Sequence, residues 1–221
     1  MRKIFQIITV LSMLVLMAQT AFAEDKETIQ EGADLSTVHR LAIAYPWYFP
    51  TGEENEPTLE DVLRLADEAG NSKKPSIRNY ELLTYGDIVD AIRADYNLDI
   101  RALKRAKAEA LFKKYIDKYA DAYVLVTVAN NSRTRFFFEV YQAGTNKMLY
   151  VFEHGIGSME HDDIATYQKC YELFFRQFDM AIENQQKQFA KEAREAEKQR
   201  QKEERKAMRL DLQEMKVEPE K

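Results

Sequence analysis

Apolar residues change their spacing along this chain in a way that separates strands from helices. Val38 to Tyr45 and Ala122 to Ala129 are nearly continuous apolar runs, which is typical of strands covered on both faces. Arg135 to Tyr141 and Lys147 to Glu153 alternate between two faces. Short, turn-rich links join the last three of these segments, and we expect them to form antiparallel hairpins.

Helical periodicity fills most of the remaining chain. Thr58 and Thr84 are suited to open helices, and a third helix is predicted from about Asp99 to Tyr119. The last helix begins near Asp162 or Asp163, whose carboxylates suit a helix N-terminus. Its apolar stripe is predicted to pack on the sheet and contains Tyr167, Cys170, Tyr171, Phe174, Phe178 and Ile182.

These elements predict a mixed α/β fold (α+β mixed). It has a single mixed sheet with flanking helices, and it ends in an antiparallel meander and a long C-terminal helix. We place the domain at residues 38–186. Residues 24–37 are polar and unpatterned, which indicates a flexible lead-in. Residues 187–221 form a charged tail, helical or disordered, because they contain too few apolar side chains to bury themselves.

The first 23 residues have the pattern of a secretory signal peptide. Arg2 and Lys3 precede an apolar run, and Ala21-Phe22-Ala23 offers small residues for cleavage after Ala23. The run is shorter than the ~20 apolar residues of a membrane span. We therefore expect a periplasmic or secreted protein with no transmembrane segment in the mature chain.

Four parts of the sequence resemble a known group of α/β domains. They are the strand Leu41 to Tyr45, the segment NYELLTYGDIVDAI, the sequence Ala120-Asp121-Ala122-Tyr123 before a strand, and the turn Ala143-Gly144-Thr145-Asn146-Lys147. This order is similar to that of the TolB amino-terminal domain, the curli-secretion lipoproteins and the outer-membrane activators of penicillin-binding proteins. The resemblance covers about residues 38–186 and implies a periplasmic, non-enzymatic module that works through protein contacts. The lipoprotein members carry a modified cysteine after the signal, where this chain has Glu24.

Charge is distributed unevenly along the chain. The formal net charge is −5, and it becomes −7 when Arg2 and Lys3 are removed. An acidic chain repels phosphates, so we expect no nucleic-acid partner. Residues 187–209 nevertheless hold nine basic and five acidic side chains. At helical spacing, seven of the cations form one stripe: Lys187, Lys191, Arg194, Lys198, Lys202, Arg205 and Arg209. The stripe could be a solvated face without a function, or it could bind an envelope protein or an anionic envelope polymer.

Two other segments contain candidate binding residues. Glu153, His154, His161 and Asp162 could hold a metal ion, although a strand end followed by an acidic helix start explains the same residues. Trp47 and Tyr48 lie in an aromatic segment, Tyr45 to Pro50. They could grip a ligand or a peptide, or the segment could fold over the sheet edge as a lid, which is the interpretation we favour.

The sequence contains no recognisable nucleophile constellation and no phosphate-binding glycine loop. We therefore expect an exported binding or assembly-accessory module without catalysis and without a cofactor. The alternative is a metal- or small-ligand-binding periplasmic protein, possibly an enzyme, that uses the acids and histidines of residues 153–163.

Overall fold

The computed structural model describes residues 25–52, 56–130, 134–157 and 163–214 of the chain. Within them lie seven strands and four α-helices. The strands are β1 (Lys26–Ile29), β2 (Arg40–Ile43), β3 (Trp47–Phe49), β4 (Glu81–Leu83), β5 (Ala122–Asn130), β6 (Thr134–Gln142) and β7 (Met148–Gly155). The helices are α1 (Leu59–Lys73), α2 (Tyr85–Tyr96), α3 (Arg105–Tyr115) and α4 (Ile164–Glu214).

One mixed sheet organises the molecule, with the strand order β1-β7-β6-β5-β2-β4 and with β3 also paired to β5. The strands β5, β6 and β7 form the antiparallel meander. The strands β2 and β4, which helices connect, run parallel, as do β2 and β5. The predicted mixed α/β fold with its meander and long C-terminal helix is therefore confirmed.

Side-chain caps define where three helices begin. Thr58 and Asp61 form a reciprocal capping box at the start of α1, and Thr84 and Asp87 form another at the start of α2. At the start of α4, a carboxylate oxygen of Asp163 accepts a hydrogen bond from the Thr166 amide at 2.8 Å. These polar side chains satisfy backbone N–H groups that have no partner inside the helix.

The helices cover the sheet on both sides and create two apolar cores. Helices α1 and α4 pack on one face, where the rings of Phe138 and Phe174 stack at 4.5 Å between centroids. Helices α2 and α3 pack on the other face, where Ile88 and Phe112 lie with Tyr123 of β5. The predicted apolar stripe of the last helix is buried in the first core, and Cys170 is part of it.

Residues 25–37 differ from the predicted flexible lead-in. The strand β1 pairs antiparallel with β7, so it extends the sheet at its edge. Leu35, fully buried, belongs to the core shared with α4. The side chains of β1 are exposed, and this is why its polar sequence gave no strand pattern.

The third predicted helix is shorter than expected. Residues 99–119 contain a 3-10 turn at Ile100–Ala102, the helix α3, and a second 3-10 turn at Ile116–Lys118. Asp99 accepts a hydrogen bond from the Arg101 amide and so caps the first turn. Leu103 and Lys104, whose ψ angles of 156° and 140° are not helical, separate the turn from α3.

Candidate functional site

The C-terminal half of α4 leaves the folded domain as a single exposed helix. The helix is continuous through residue 214, and every side chain described from residue 186 to residue 208 is exposed. Of the two states predicted for the tail, the helical one is therefore present as far as residue 214. Within the described chain no helix is both long enough and apolar enough to cross a membrane.

The predicted basic stripe exists on this helix. At about 100° per residue, its seven positions fall within an arc of about 80° and extend over about 33 Å along the axis. Glu195 lies about 20° beyond one edge of the same arc. The backbone of Arg209 belongs to the helix, whereas its side chain lies outside the described part. We call these seven residues the basic stripe.

Most cations of the basic stripe have no ionic partner in the described chain. Lys187 lies 2.5 Å from Glu183, one helical turn earlier. Among the described side chains, no carboxylate oxygen lies within 4.0 Å of the other five cations whose positions are known, which are Lys191, Arg194, Lys198, Lys202 and Arg205. Their charges therefore face solvent and are open to a partner.

The metal candidates are not brought together where the structure describes them. Glu153 and His154 are neighbours on β7, so their side chains point to opposite faces of the sheet. Glu153 pairs with Arg135 at 2.8 Å, and His154 contacts Asp25 at 2.6 Å.

The other two metal candidates, His161 and Asp162, lie outside the described residues, as do the signal segment and its Ala23. Within the described chain, no three histidine, cysteine or acidic residues are grouped as metal ligands.

The aromatic segment joins the sheet as β3 and does not fold over its edge as a lid. Strand β3 pairs parallel with β5 in register with Thr127–Ala129, one residue out of step with β2. Trp47 and Tyr48 consequently point to opposite faces of the sheet. Tyr48 packs against the core under α4, and its hydroxyl lies 3.4 Å from the Asn130 amide nitrogen. The two candidates therefore do not form one surface.

Arg105, the first residue of α3, organises the face on which Trp47 lies. Its guanidinium carbon lies 3.7 Å from the centroid of the Trp47 ring and 5.0 Å from that of Tyr45. One terminal nitrogen donates a hydrogen bond of 2.6 Å to the carbonyl oxygen of Pro46. Pro46 lies between β2 and β3, where the pairing with β5 shifts by one residue. This shift in register therefore positions the Pro46 carbonyl as the acceptor.

A cavity of about 410 Å³ adjoins Arg105, between the sheet and α3. Burial raises the pKa of Tyr123, in the wall of this cavity, to about 12, and Glu109 adds to the shift. Burial also lowers the pKa of Arg105. Sequence reasoning did not single out Arg105, because a cation in the first turn of a helix resembles any solvated charge.

Comparisons with known proteins identify similar folds only. No protein-family model and no curated protein sequence matches the chain. Among solved structures, the PelC dodecamer from Paraburkholderia phytofirmans is 6% identical, with 72% of this chain and 98% of that chain covered and a TM-score of 0.41. The LpoB C-terminal domain from Escherichia coli is 12% identical, covers 58% of this chain and 90% of its own, and has a TM-score of 0.41.

A DUF4136 family protein from Bacteroides thetaiotaomicron is also similar. It is 11% identical, with 70% of this chain and 95% of that chain covered, and its TM-score is 0.36. The LpoB domain is a penicillin-binding-protein activator, and so comes from one of the groups that the sequence resembles. Similarities this weak carry no inference about what the present chain does.

Proposed function

We propose that this chain is an exported, non-catalytic binding protein that assists assembly in the cell envelope by docking an acidic face of a partner protein on the basic stripe. One observation carries the proposal. The helix continues for more than twenty residues beyond its last contact with the core, and those residues are exposed throughout the part whose side chains are described. A segment that buries nothing adds little to the stability of the domain.

Charge complementarity identifies the chemistry of the partner. Residues 187–209 carry a net charge of +4, and the rest of the chain without residues 1–23 carries −11. An acidic surface would be attracted by the stripe and repelled by the domain, so the complex would have a defined orientation. Such fields mainly raise the association rate and set specificity. They weaken with salt, since the screening length falls from ~10 Å at 0.1 M to ~3 Å at 1 M.

Export is part of the same proposal and is supported by the signal-like pattern of residues 1–23. The location determines which partners are available, namely proteins of the envelope. Fractionation of cells that produce the full chain, with N-terminal sequencing of the mature product, tests this step. We expect a periplasmic product that begins at Glu24. A cytoplasmic product of full length would contradict it.

The docking surface is tested by crosslinking in the native envelope. A photoreactive residue is placed at Gln201, which is exposed between Lys198 and Lys202, and the adduct is identified by mass spectrometry. We expect one discrete protein adduct that forms at low salt and is lost at 1 M salt. An adduct that resists protease would identify an anionic polymer as the occupant and would overturn the choice of a protein partner.

Two double variants that change the net charge equally show whether docking depends on the positions of the cations or only on the net charge of the helix. Arg194→Gln with Lys198→Gln removes two cations from the basic stripe, whereas Arg200→Gln with Lys206→Gln removes two cations that lie off it. Glutamine preserves helix propensity in both. We expect the first pair to lose most of the adduct and the second to retain it. Equal yields from the two variants would show that the stripe is only a solvated face.

A further inference from the structure

Arg105 is a partly desolvated cation without a counter-charge in the described chain. Its Nε atom is buried and has no hydrogen-bond partner among the described residues. No carboxylate oxygen of the described chain lies within 4.0 Å of its guanidinium. The acid one turn along α3, Glu109, is bonded instead to Lys113 at 2.7 Å. A buried donor without an acceptor is unfavourable, and no acid of the described chain neutralises the charge of this guanidinium.

The cavity beside Arg105 offers room for a carboxylate that pairs with the guanidinium and for an apolar body attached to it. Its volume of about 410 Å³ lies within the ~300–1,000 Å³ typical of small-molecule sites. Most of its lining is apolar and includes Leu59, Leu63, Leu103, Phe112 and Leu125. The aromatic rings of Tyr45 and Tyr85 complete this wall.

The charged groups of the lining leave Arg105 as the cation available to a ligand, while the one acid without an ionic partner in the described chain, Glu60, is exposed to solvent. Five are present, namely Arg101, Arg105, Lys113, Glu60 and Glu109. Arg101 is already paired with Asp90 at 2.7 Å, and Lys113 is paired with Glu109. Arg105 therefore remains as the one cation whose donors are not fully used. A dianion such as phosphate would lack a second free cation, whereas a carboxylate matches one guanidinium.

We propose that this cavity binds a small apolar carboxylate, with the carboxylate on Arg105 and the apolar body between α3 and the sheet. The stack of Arg105 on Trp47 and the hydrogen bond to Pro46 hold the guanidinium in place before the ligand arrives. This positioning lowers the entropy cost of binding. The site lies in the folded domain and does not depend on the basic stripe.

Binding is tested on the full mature chain with decanoate, and with 1-decanol as a ligand of the same chain length that lacks the charge. Trp47 is the only tryptophan, so its fluorescence reports directly on the ring against which Arg105 packs. We expect decanoate to change the Trp47 emission saturably and to bind at least tenfold more tightly than 1-decanol. Equal affinities for the two ligands, or no saturable binding of decanoate, would overturn the proposal, and this experiment needs only the parent protein.

Arg105→Gln and Arg101→Gln form a matched pair, because both arginines line the cavity and only Arg101 has an ionic partner. We expect Arg105→Gln to weaken decanoate binding at least tenfold and to leave 1-decanol binding within twofold. Arg101→Gln should change decanoate binding by less than threefold. Circular dichroism checks that each variant is folded, and Arg105→Lys keeps the charge should the glutamine variant unfold. Wild-type affinity of a folded Arg105→Gln for decanoate would contradict the assignment.

An apolar carboxylate could be a free fatty acid or the C-terminus of a peptide. A tripeptide that ends in leucine, compared with its C-terminal amide, distinguishes these sources. Tighter binding of decanoate than of the peptide acid indicates the small molecule that we propose. Tighter binding of the peptide acid, lost in its amide, would overturn the small-molecule assignment and would identify a protein C-terminus as the ligand.

Discussion

Gln185 and Leu35, which are 150 residues apart, are joined by a buried hydrogen bond. The side-chain oxygen of Gln185 accepts from the Leu35 amide at 2.7 Å, and its amide nitrogen donates to the carbonyl oxygen of Ala33 at 2.8 Å. One side chain on α4 thus satisfies two backbone groups of the link between β1 and β2. This contact holds residues 33–35 on the domain and explains why they are ordered despite their polar surroundings in the sequence.

Replacement of Gln185 by alanine should destabilise the domain by about 1–3 kcal/mol, because it leaves the buried Leu35 amide without an acceptor. The change is measured by denaturant unfolding. Gln186→Ala, at the exposed neighbouring position, is the control and should change stability by less than about 0.5 kcal/mol. Similar losses for the two variants would show that helix propensity, and not the buried contact, is responsible.

Phe138 and Phe137, neighbours on β6, test which face of the sheet is buried under α4. Phe138 is fully buried under α4, whereas Phe137 faces the opposite side and is only partly buried. We expect Phe138→Ala to cost about 3–5 kcal/mol, through lost burial and the cavity left behind. Phe137→Ala should cost clearly less. Equal costs in thermal or denaturant unfolding would mean that the assignment of the faces is wrong.

The loop before α1 should respond to acid through Glu56. Burial alone would raise the pKa of Glu56, but hydrogen bonds from Asn130 and from the amides of Thr51 and Gly52 outweigh it and lower the pKa to about 2. Because the folded-state pKa lies below the ordinary value of 4.5, the ionised carboxylate stabilises the fold above about pH 4.5. This contribution is lost as the pH falls towards about 2.

The stability difference between the parent chain and Glu56→Gln should therefore be larger at pH 6 than at pH 2. Thermal unfolding across this range measures it, and Glu60→Gln, an exposed position nearby, controls for the removal of one negative charge. A titration of the Glu56 carboxylate by NMR gives the pKa directly. A midpoint near 4.5 would contradict the hydrogen-bonded arrangement.

Truncation after Ala190 should leave the melting temperature nearly unchanged. The side chains from residue 186 to residue 208 are exposed, so the described part of the deleted segment buries almost no apolar surface. One turn of helix remains beyond Gln185 to protect its contacts. Calorimetry of the two lengths makes the comparison. A fall of more than a few degrees would show that the distal helix packs on the domain.

The pattern of the sequence was sufficient to predict the mixed sheet, the meander and the buried stripe of α4. Strands and helices impose periods of 2 and about 3.6 residues on apolar side chains, and those periods can be counted along the chain. Thr58 and Thr84 also acted as predicted, because a cap forms within four residues of sequence. The basic stripe is a property of spacing alone, and a continuous helix was all it required.

Only the tertiary structure determined the remaining features, because each depends on residues far apart in the chain. Strand β1 exists through its pairing with β7, and Gln185 reaches Leu35 across 150 positions. The surroundings of Arg105 form because the start of α3 lies next to the segment between β2 and β3, where the pairing with β5 shifts by one residue. The local period of apolar residues contains no information about contacts between distant parts of the chain. The sequence by itself therefore determined the elements that have a marked apolar period, whereas long-range packing decided that β1 and β3 join the sheet, which polar groups became buried, and that Arg105 has no ionic partner in the described chain.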